Sequence, residues 1–360
     1  MNLQTSDRAR AALVAWLCLA SSSVWAKELD QFTDRLLELH YYAGGYRKLA
    51  GAPGPQQVDA VLDARMNMLL DRLQLRLRES PPRTAADRSR LLSEVFQHRF
   101  LPALVTPYEQ WVKTEAPVPL YRVRDKGIFG HAVDYDDMRL AWYIELSPIL
   151  RVGGVLMGID KLGHFLAQGF QYYQHDQALS RRPDAARYAA LRTLGHVQEL
   201  GQLGIATGGV YSYADLAANW AGMAFFSSLF NAADIEGQHH ARYFEPAGEG
   251  KWRRVRDFHW AEWVTPDWDE VLNPAATARR ALYEKVAENF RRRPGPANAP
   301  RTSICDWYRR DPQAFLGPNS GLRPRSSYAL SSLGMRVAPY ALDVRALCSS
   351  PAPTTRTAPP

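Results

Sequence analysis

Three short stretches of this chain carry the residues able to do chemistry. They are Asp160-Lys161-Leu162-Gly163-His164-Phe165, His196-Val197-Gln198-Glu199-Leu200-Gly201, and Ser212-Tyr213-Ala214-Asp215 running on to Asn219. Each lies in a glycine-marked, otherwise apolar segment, where a polar group costs free energy unless it is paired. On a helix starting near Asp160, positions 160, 164 and 168 share one stripe, which aligns Asp160, His164 and Gln168. His196 and Glu199 are i, i+3 neighbours, and Asp215 and Asn219 are i, i+4. Three such helices around one axis would gather two histidines and three carboxylates. That set could hold a divalent metal through His164, Glu199 and Asp215. It could equally supply acid–base catalysis from His164, Glu199, Asp160 and Asp215, with Lys161, His196 and Asn219 alongside.

Each residue also has a plain structural reading. Asp160 could be only the N-cap of its helix, with Lys161 a solvated partner. Ser212 followed three residues later by Asp215 has the form of a capping box. A single buried histidine such as His164 is more often a hydrogen-bonded core residue than a ligand. Glu199 resists such a reading, because Leu194, Val197, Leu200 and Leu203 surround it in sequence. Glycines 163, 169, 195, 201 and 204 point to close helix packing under either account. The chain has no Gly-x-Ser-x-Gly elbow, no His-Glu-x-x-His helix, no phosphate-cradling glycine loop and no Cys-x-x-Cys pair.

The elements that must position these residues follow from periodicity. Leu29 to Leu39 is amphipathic, and Val58, Leu62, Met66, Leu69, Leu70, Leu73 and Leu77 repeat at helical spacing. Leu91 to Val112 continues the pattern, with Pro102 and Pro107 placed to divide it. Val118 to Val123 and Ile128 to Val133 suit a short β-hairpin near 118–133 around Lys126-Gly127. Apolar helices are expected from Met157 to Phe230, and 213–230 reads as a buried core helix rather than a membrane span. Beyond Asp234 the chain is aromatic and basic, with Trp252, Trp260, Trp263 and Trp268 placed to stack on sugar, meet a membrane surface or fill a core. In Trp268-Asp269-Glu270-Val271-Leu272-Asn273-Pro274 we read a turn whose acidic residues sit at the start of a helix from Ala275 to about Arg291.

Targeting and compartment are read from the ends. Arg8 and Arg10, the apolar run Ala11–Ala20 and Val24-Trp25-Ala26 form a secretory signal pattern over 1–26, with cleavage after Ala26. The mature chain of 334 residues keeps two cysteines, Cys305 and Cys348, which in an oxidising compartment suggest one disulfide, with two buried thiols as the alternative. Closing such a loop stabilises by roughly 4 kcal/mol in the chain-entropy account. After cleavage 42 basic residues face 36 acidic ones, for a net charge of +6, and lysines are only 7 of the 44 basic residues in the whole chain. This basicity reflects either a GC-rich genome or attraction to anionic lipid or cell-wall polymer. The arginines are mostly scattered, and export argues against a nucleic-acid partner.

Asp160-Lys161-Leu162-Gly163-His164-Phe165, Glu199-Leu200-Gly201 and Ser212-Tyr213-Ala214-Asp215-Leu216 with Gly222 together resemble the YfiM-like exported lipoproteins. More distantly they are similar to the VanZ-like envelope proteins, which share an Asp-Lys-x-x-His-Phe helix start. The resemblance covers about residues 157–230. It implies a helical, envelope-associated protein and, through the VanZ-like link to glycopeptide tolerance, envelope lipid or glycan. It carries no reaction. The chain departs from the lipoproteins in lacking an evident lipidation cysteine, and from the VanZ-like proteins in lacking clear spans.

The expectation is therefore a mainly α, helical bundle-like exported domain over 27–292, a linker at 293–304, a Cys-tethered irregular tail over 305–348 and a disordered end. Its function is expected to be that of a periplasmic or envelope-associated protein, membrane-adjacent, built on a buried Asp/His/Glu cluster. The alternatives are a metal-dependent or acid–base hydrolase of envelope lipid or lipid-linked glycan, and a binding module for an envelope partner presented by the aromatic region 252–268.

Overall fold

The computed structural model describes residues 55–96, 106–118, 120, 149–201, 204–205, 210–248, 251–270, 272–281, 283–284, 287–288, 304–310 and 338–349. The signal pattern, the 29–39 helix, all but two residues of the 118–133 hairpin, nearly all of the linker and the proline-rich end lie outside these residues. What is described is mainly α.

Helix α1 (Pro55–Glu79) buries Val58, Leu62, Met66, Leu70, Leu73 and Leu77, the stripe its periodicity announces. It also buries Gln74, because the helix reads the backbone of a distant segment. Gln74 Nε2 donates to Trp252 O at 2.7 Å, and Gln74 Oε1 accepts from Arg254 N at 2.6 Å. One heptad earlier Asn67 repeats the pattern with Phe258, donating to its O at 3.0 Å and accepting from its N at 2.8 Å. These amides satisfy main-chain groups that the packing takes from water.

Helix α2 (Ala85–Phe96) starts with a reciprocal capping box between Thr84 and Asp87. Helix α3 (Pro107–Thr114) has Pro107 in its first turn and Thr106 as N-cap, so the long apolar pattern is indeed interrupted at Pro107. Strands β1 (Ile149–Val152) and β2 (Val155–Gly158) then form an antiparallel hairpin, with Gly153 and Gly154 at φ +57° and +83° in its turn. Met157 and Gly158 are thus extended rather than helical.

Helix α4 (Asp160–Gly163) runs through a π-helical turn (His164–Gln168) into α5 (Gly169–Ala178). Helix α6 (Asp184–Leu200), strand β3 (Val210–Tyr211) and helix α7 (Tyr213–Ser228) follow. Glycines set the closest approach: a Cβ on Gly222 of α7 would lie 1.9 Å from the Phe165 carbonyl oxygen, and one on Gly169 would lie 2.5 Å from Gly222 Cα. The widened π turn therefore seats its backbone directly on α7.

Short hairpins β4 (Ala233–Ile235) with β5 (Gln238–His240) and β6 (Phe244–Pro246) with β7 (Trp252–Arg254) lead into the aromatic segment. Phe258, Trp260, Trp263 and Trp268 are all buried there, around Phe165. Its ring centroid lies 5.0 Å from Trp260, 5.3 Å from Phe225, 5.8 Å from Trp263 and 5.9 Å from Trp268. These four aromatics are core, while Trp252 is half-buried. Among the described residues no helix is long and apolar enough to cross a membrane, and α7 is a core helix of 16 residues.

Strand β8 (Ala276–Thr277) occupies the start of the expected 275–291 helix. It is extended because it lies between β3 and β9 (Tyr340–Ala341) in an antiparallel sheet. Thr277 Oγ1 then accepts the Arg279 N–H, and helical residues begin only at Arg280. In the described residues of the tail, Cys305 of α8 (Ile304–Arg310) and Cys348 of α9 (Val344–Ser349) form a disulfide, and β9 pairs with β8.

Gly222→Ala is expected to destabilise the fold by about 2 kcal/mol, the cost of overpacking exceeding the ~1 kcal/mol gain in helix propensity. Urea unfolding measures it, and an unchanged midpoint would mean that the π turn and α7 are not in direct contact.

Candidate functional site

The first and third chemistry-bearing stretches meet where α4 packs on α7. Lys161 is the centre, and it is wholly buried. Its Nζ lies 2.5 Å from Asp215 Oδ1, 2.8 Å from Glu270 Oε1 and 3.0 Å from Asp160 Oδ2. Lys161, which the sequence leaves either beside the site or as a solvated partner of Asp160, is an ammonium shared by three buried carboxyls from α4, α7 and the segment after the Pro266–Trp268 turn. Asp160 is not an N-cap: Ile159 holds that position, and no side chain caps the turn. Gly163 leaves room for the buried Glu109 of α3, whose Oε2 would lie 2.4 Å from a Cβ there.

His164 faces the other side of Asp215. Its Nε2 lies 3.0 Å from Asp215 Oδ2, and its Nδ1 lies 3.0 Å from Asn219 Oδ1. Burial is the largest influence on the imidazole and works against its charge. Asp215's charge and hydrogen bond outweigh it, with help from Asp160 and against Lys161, so His164 is raised to about 9. Protonated, the ring donates through both nitrogens, to a carboxylate and to an amide oxygen.

Ser212 is the N-cap of α7, its Oγ accepting from Asp215 N at 3.1 Å. The capping box stops halfway, because the Ser212 N–H goes to Glu199 Oε2 at 3.1 Å instead of to Asp215. Ser212 Oγ also donates to Glu270 Oε1 at 3.0 Å. One serine thereby links α6, α7 and the Glu270 segment. Burial, then Asp215's charge, raise Glu199 to about 8; burial raises Glu270 to about 7 against the pull of Lys161. Two cations face these four carboxyls, and the raised values let the cluster shed surplus negative charge by binding protons.

His196 stands apart from the cluster. Its Nδ1 is hydrogen-bonded to the Tyr211 hydroxyl, and burial followed by Arg192's charge lowers its pKa. Gln168 is buried on its helix, and its Oε1 has no hydrogen-bond partner. Of the residues singled out from sequence, the structure brings Asp160, Lys161, His164, Glu199, Asp215 and Asn219 together and leaves His196 outside; Glu270 joins them without having been singled out. The Trp268–Pro274 stretch marked the right place, but its acids were read as local helix-dipole residues.

Asp160, His164 and Asp215 each present a ligand atom within 4.8 Å of the others, a spacing a metal could use, and Glu199 is not part of that set. The residues present do not fit one. The Lys161 ammonium already holds both aspartates, so a cation there would have to displace it or meet its charge. No family model, curated protein or solved structure matches this chain, so the site stands on its own geometry.

Two outcomes follow. Lys161→Met should cost about 3–5 kcal/mol in urea unfolding, because three buried carboxyls lose their cation; a loss under about 1 kcal/mol would contradict the geometry. Groups raised in the folded state bind protons there more readily than in the unfolded chain, so their contribution falls as pH rises. For Glu270 and Glu199 the loss begins near their ordinary value of 4.5 and ends near 7 and 8; for His164 it runs from 6.5 to about 9. The melting temperature is therefore expected to fall between about pH 5 and pH 9, and less steeply below pH 8 in Glu199→Gln; a rising profile would refute this.

Proposed function

We propose that this chain is an exported, envelope-associated protein with a non-catalytic helical core, working beside the anionic membrane surface or cell-wall polymer with envelope lipid or glycan as its partner. The observation that carries the reading is Lys161, a fully buried ammonium held by Asp160, Asp215 and Glu270 in a cluster whose members are each at most 2 % exposed. A cluster so closed fixes helices and offers a substrate no approach. The Cys305–Cys348 bond suits an oxidising compartment, the N-terminal pattern suits export, and the basic balance suits an anionic surface.

One observation favours a second reading, an acid–base hydrolase of envelope lipid or lipid-linked glycan. Beside the His164–Asp215 pair, the buried Glu199 has one carboxyl oxygen, Oε1, with no hydrogen-bond partner among the described residues, as a group poised for proton exchange would. Glu199 and His164 would then exchange protons with the reactant, and no metal would take part.

Purified mature protein is expected to begin at Lys27, to hold the disulfide and to carry no stoichiometric divalent metal by mass spectrometry. In cells lacking the chromosomal copy, Glu199→Gln is expected to restore envelope integrity as well as the wild type does. A folded, disulfide-bonded Glu199→Gln protein that fails to complement would replace the scaffold with the hydrolase, and metal lost in His164→Ala would replace both with a metalloenzyme.

A further inference from the structure

Helix α1 carries a second apolar line besides the one it buries. Met68 and Leu75 are 58 % and 56 % exposed, the two most exposed large apolar side chains among the described residues. Seven residues apart, they project from one side of the helix, two turns from each other. Ala64, one turn before Met68 on that side, is exposed, as is Ala60 before it, and Val61 beside Ala60 is half-buried. From Ala60 to Leu75 the line runs about 22 Å along the helix. A single exposed apolar residue is ordinary, but a line of them on a helix already anchored by its other face calls for a partner.

The charges bordering this line favour arginine. Arg65, Arg72, Arg76 and Arg78 stand against Asp71 and Glu79. Both acids are engaged, Asp71 by Arg254 and Glu79 by Arg76. Arg72 and Arg78 are exposed and have no ion-pair partner among the described residues. The other two acids of the helix turn toward the core side, where Asp59 accepts the Gly153 N–H and Asp63 accepts the Trp260 N–H. The outer face is therefore apolar along its middle and basic along its borders.

We propose that this outer face of α1 is the surface by which the protein rests on an anionic lipid membrane. The inference rests on the envelope reading above and names the face and the partner. Arginines beside an apolar line lay their stems along it and carry their guanidinium groups to lipid phosphates, while Met68 and Leu75 enter the boundary between headgroups and acyl chains. An anionic cell-wall polymer would use the arginines alone, so the exposed apolar pair selects lipid. With only two large apolar side chains entering, the attachment is shallow and reversible. The inner face cannot roll outward, because Gln74 and Asn67 fix it to the backbone of Trp252 and Phe258.

Flotation of the mature protein with vesicles is the test. Binding is expected to vesicles of mixed phosphatidylglycerol and phosphatidylcholine, weakened by added salt, and not to phosphatidylcholine alone. Met68→Ser with Leu75→Ser, and separately Arg72→Gln with Arg78→Gln, should each lower affinity for the mixed vesicles by about tenfold. Should one pair fail to fold, the other decides. A wild type that ignores the mixed vesicles overturns the proposal, and so does a folded Met68→Ser, Leu75→Ser protein that binds them as the wild type does. Loss in the arginine pair with full binding in the apolar pair would mean a polyanion surface instead of lipid. A wild-type dimer in sedimentation that becomes monomeric in the apolar pair, with vesicles unbound, would make the face a contact between copies. All of these outcomes leave the envelope reading standing, because the Lys27 N-terminus and complementation in cells test it separately.

Discussion

An ammonium group removed from water loses a large hydration energy, and only opposite charges at contact distance can offset it. Lys161 meets that demand with Asp160 from its own helix, Asp215 from α7 and Glu270 from far along the chain. Because the three acceptors come from separate elements, the charge can be satisfied in only one relative placement of those elements. Hydrophobic burial is tolerant of small slips between helices, whereas a buried ion is not. The cluster therefore adds less to net stability than to the uniqueness of the packing. Ser212 extends the same constraint to α6, through the Glu199 carboxyl.

The aromatic packing beneath the cluster belongs to the same arrangement. Phe165, next to His164, is surrounded by Phe225, Trp260, Trp263 and Trp268, so the residue that turns one way into the ions is followed by one that turns the other way into the core. The π turn over His164–Gln168 starts at this point, and Gly222 lets α7 lie against the Phe165 carbonyl. A regular helix with a side chain at 222 would hold the two backbones apart. Asp215 and His164 would then be separated, and the 3.0 Å contact between them depends on that missing Cβ.

Much of this could be read from residue order, and what could not has a physical reason. The stripe of α1, the Ser212 cap and the meeting of the 160s with the 215 helix follow from spacing, because periodicity reports which face turns inward. Periodicity does not report what lies opposite. Lys161 beside Asp160 looks like an exposed pair, since lysine is rarely buried without a distant partner, and Glu270 is 109 residues away. The acids of Trp268–Pro274 make sense locally as helix-start residues, and nothing local says that one of them reaches a lysine. The β1–β2 hairpin leaves one local sign, Gly153-Gly154, but the nearly continuous apolar residues on either side lack the alternation that separates a strand from the start of a buried helix. Trp252 to Trp268 illustrates the opposite limit, since composition alone does not distinguish an aromatic surface from an aromatic core.

A histidine and two aspartates with ligand atoms within 4.8 Å of one another would ordinarily invite a metal. Whether they bind one is a question of proton count as much as distance. A cation at that point must displace the Lys161 ammonium from Asp160 and Asp215, and must also take the place of the His164–Asp215 contact. Both steps expose buried charge before the new bonds form. The lysine thus does electrostatically what a divalent ion would do, with one difference that matters for chemistry. An ammonium has no vacant coordination position and cannot polarise a bound water as a metal does. Any reactivity in this core would have to come from the proton inventory of His164, Glu199 and Glu270, three groups that burial and mutual charge bring within reach of neutral pH.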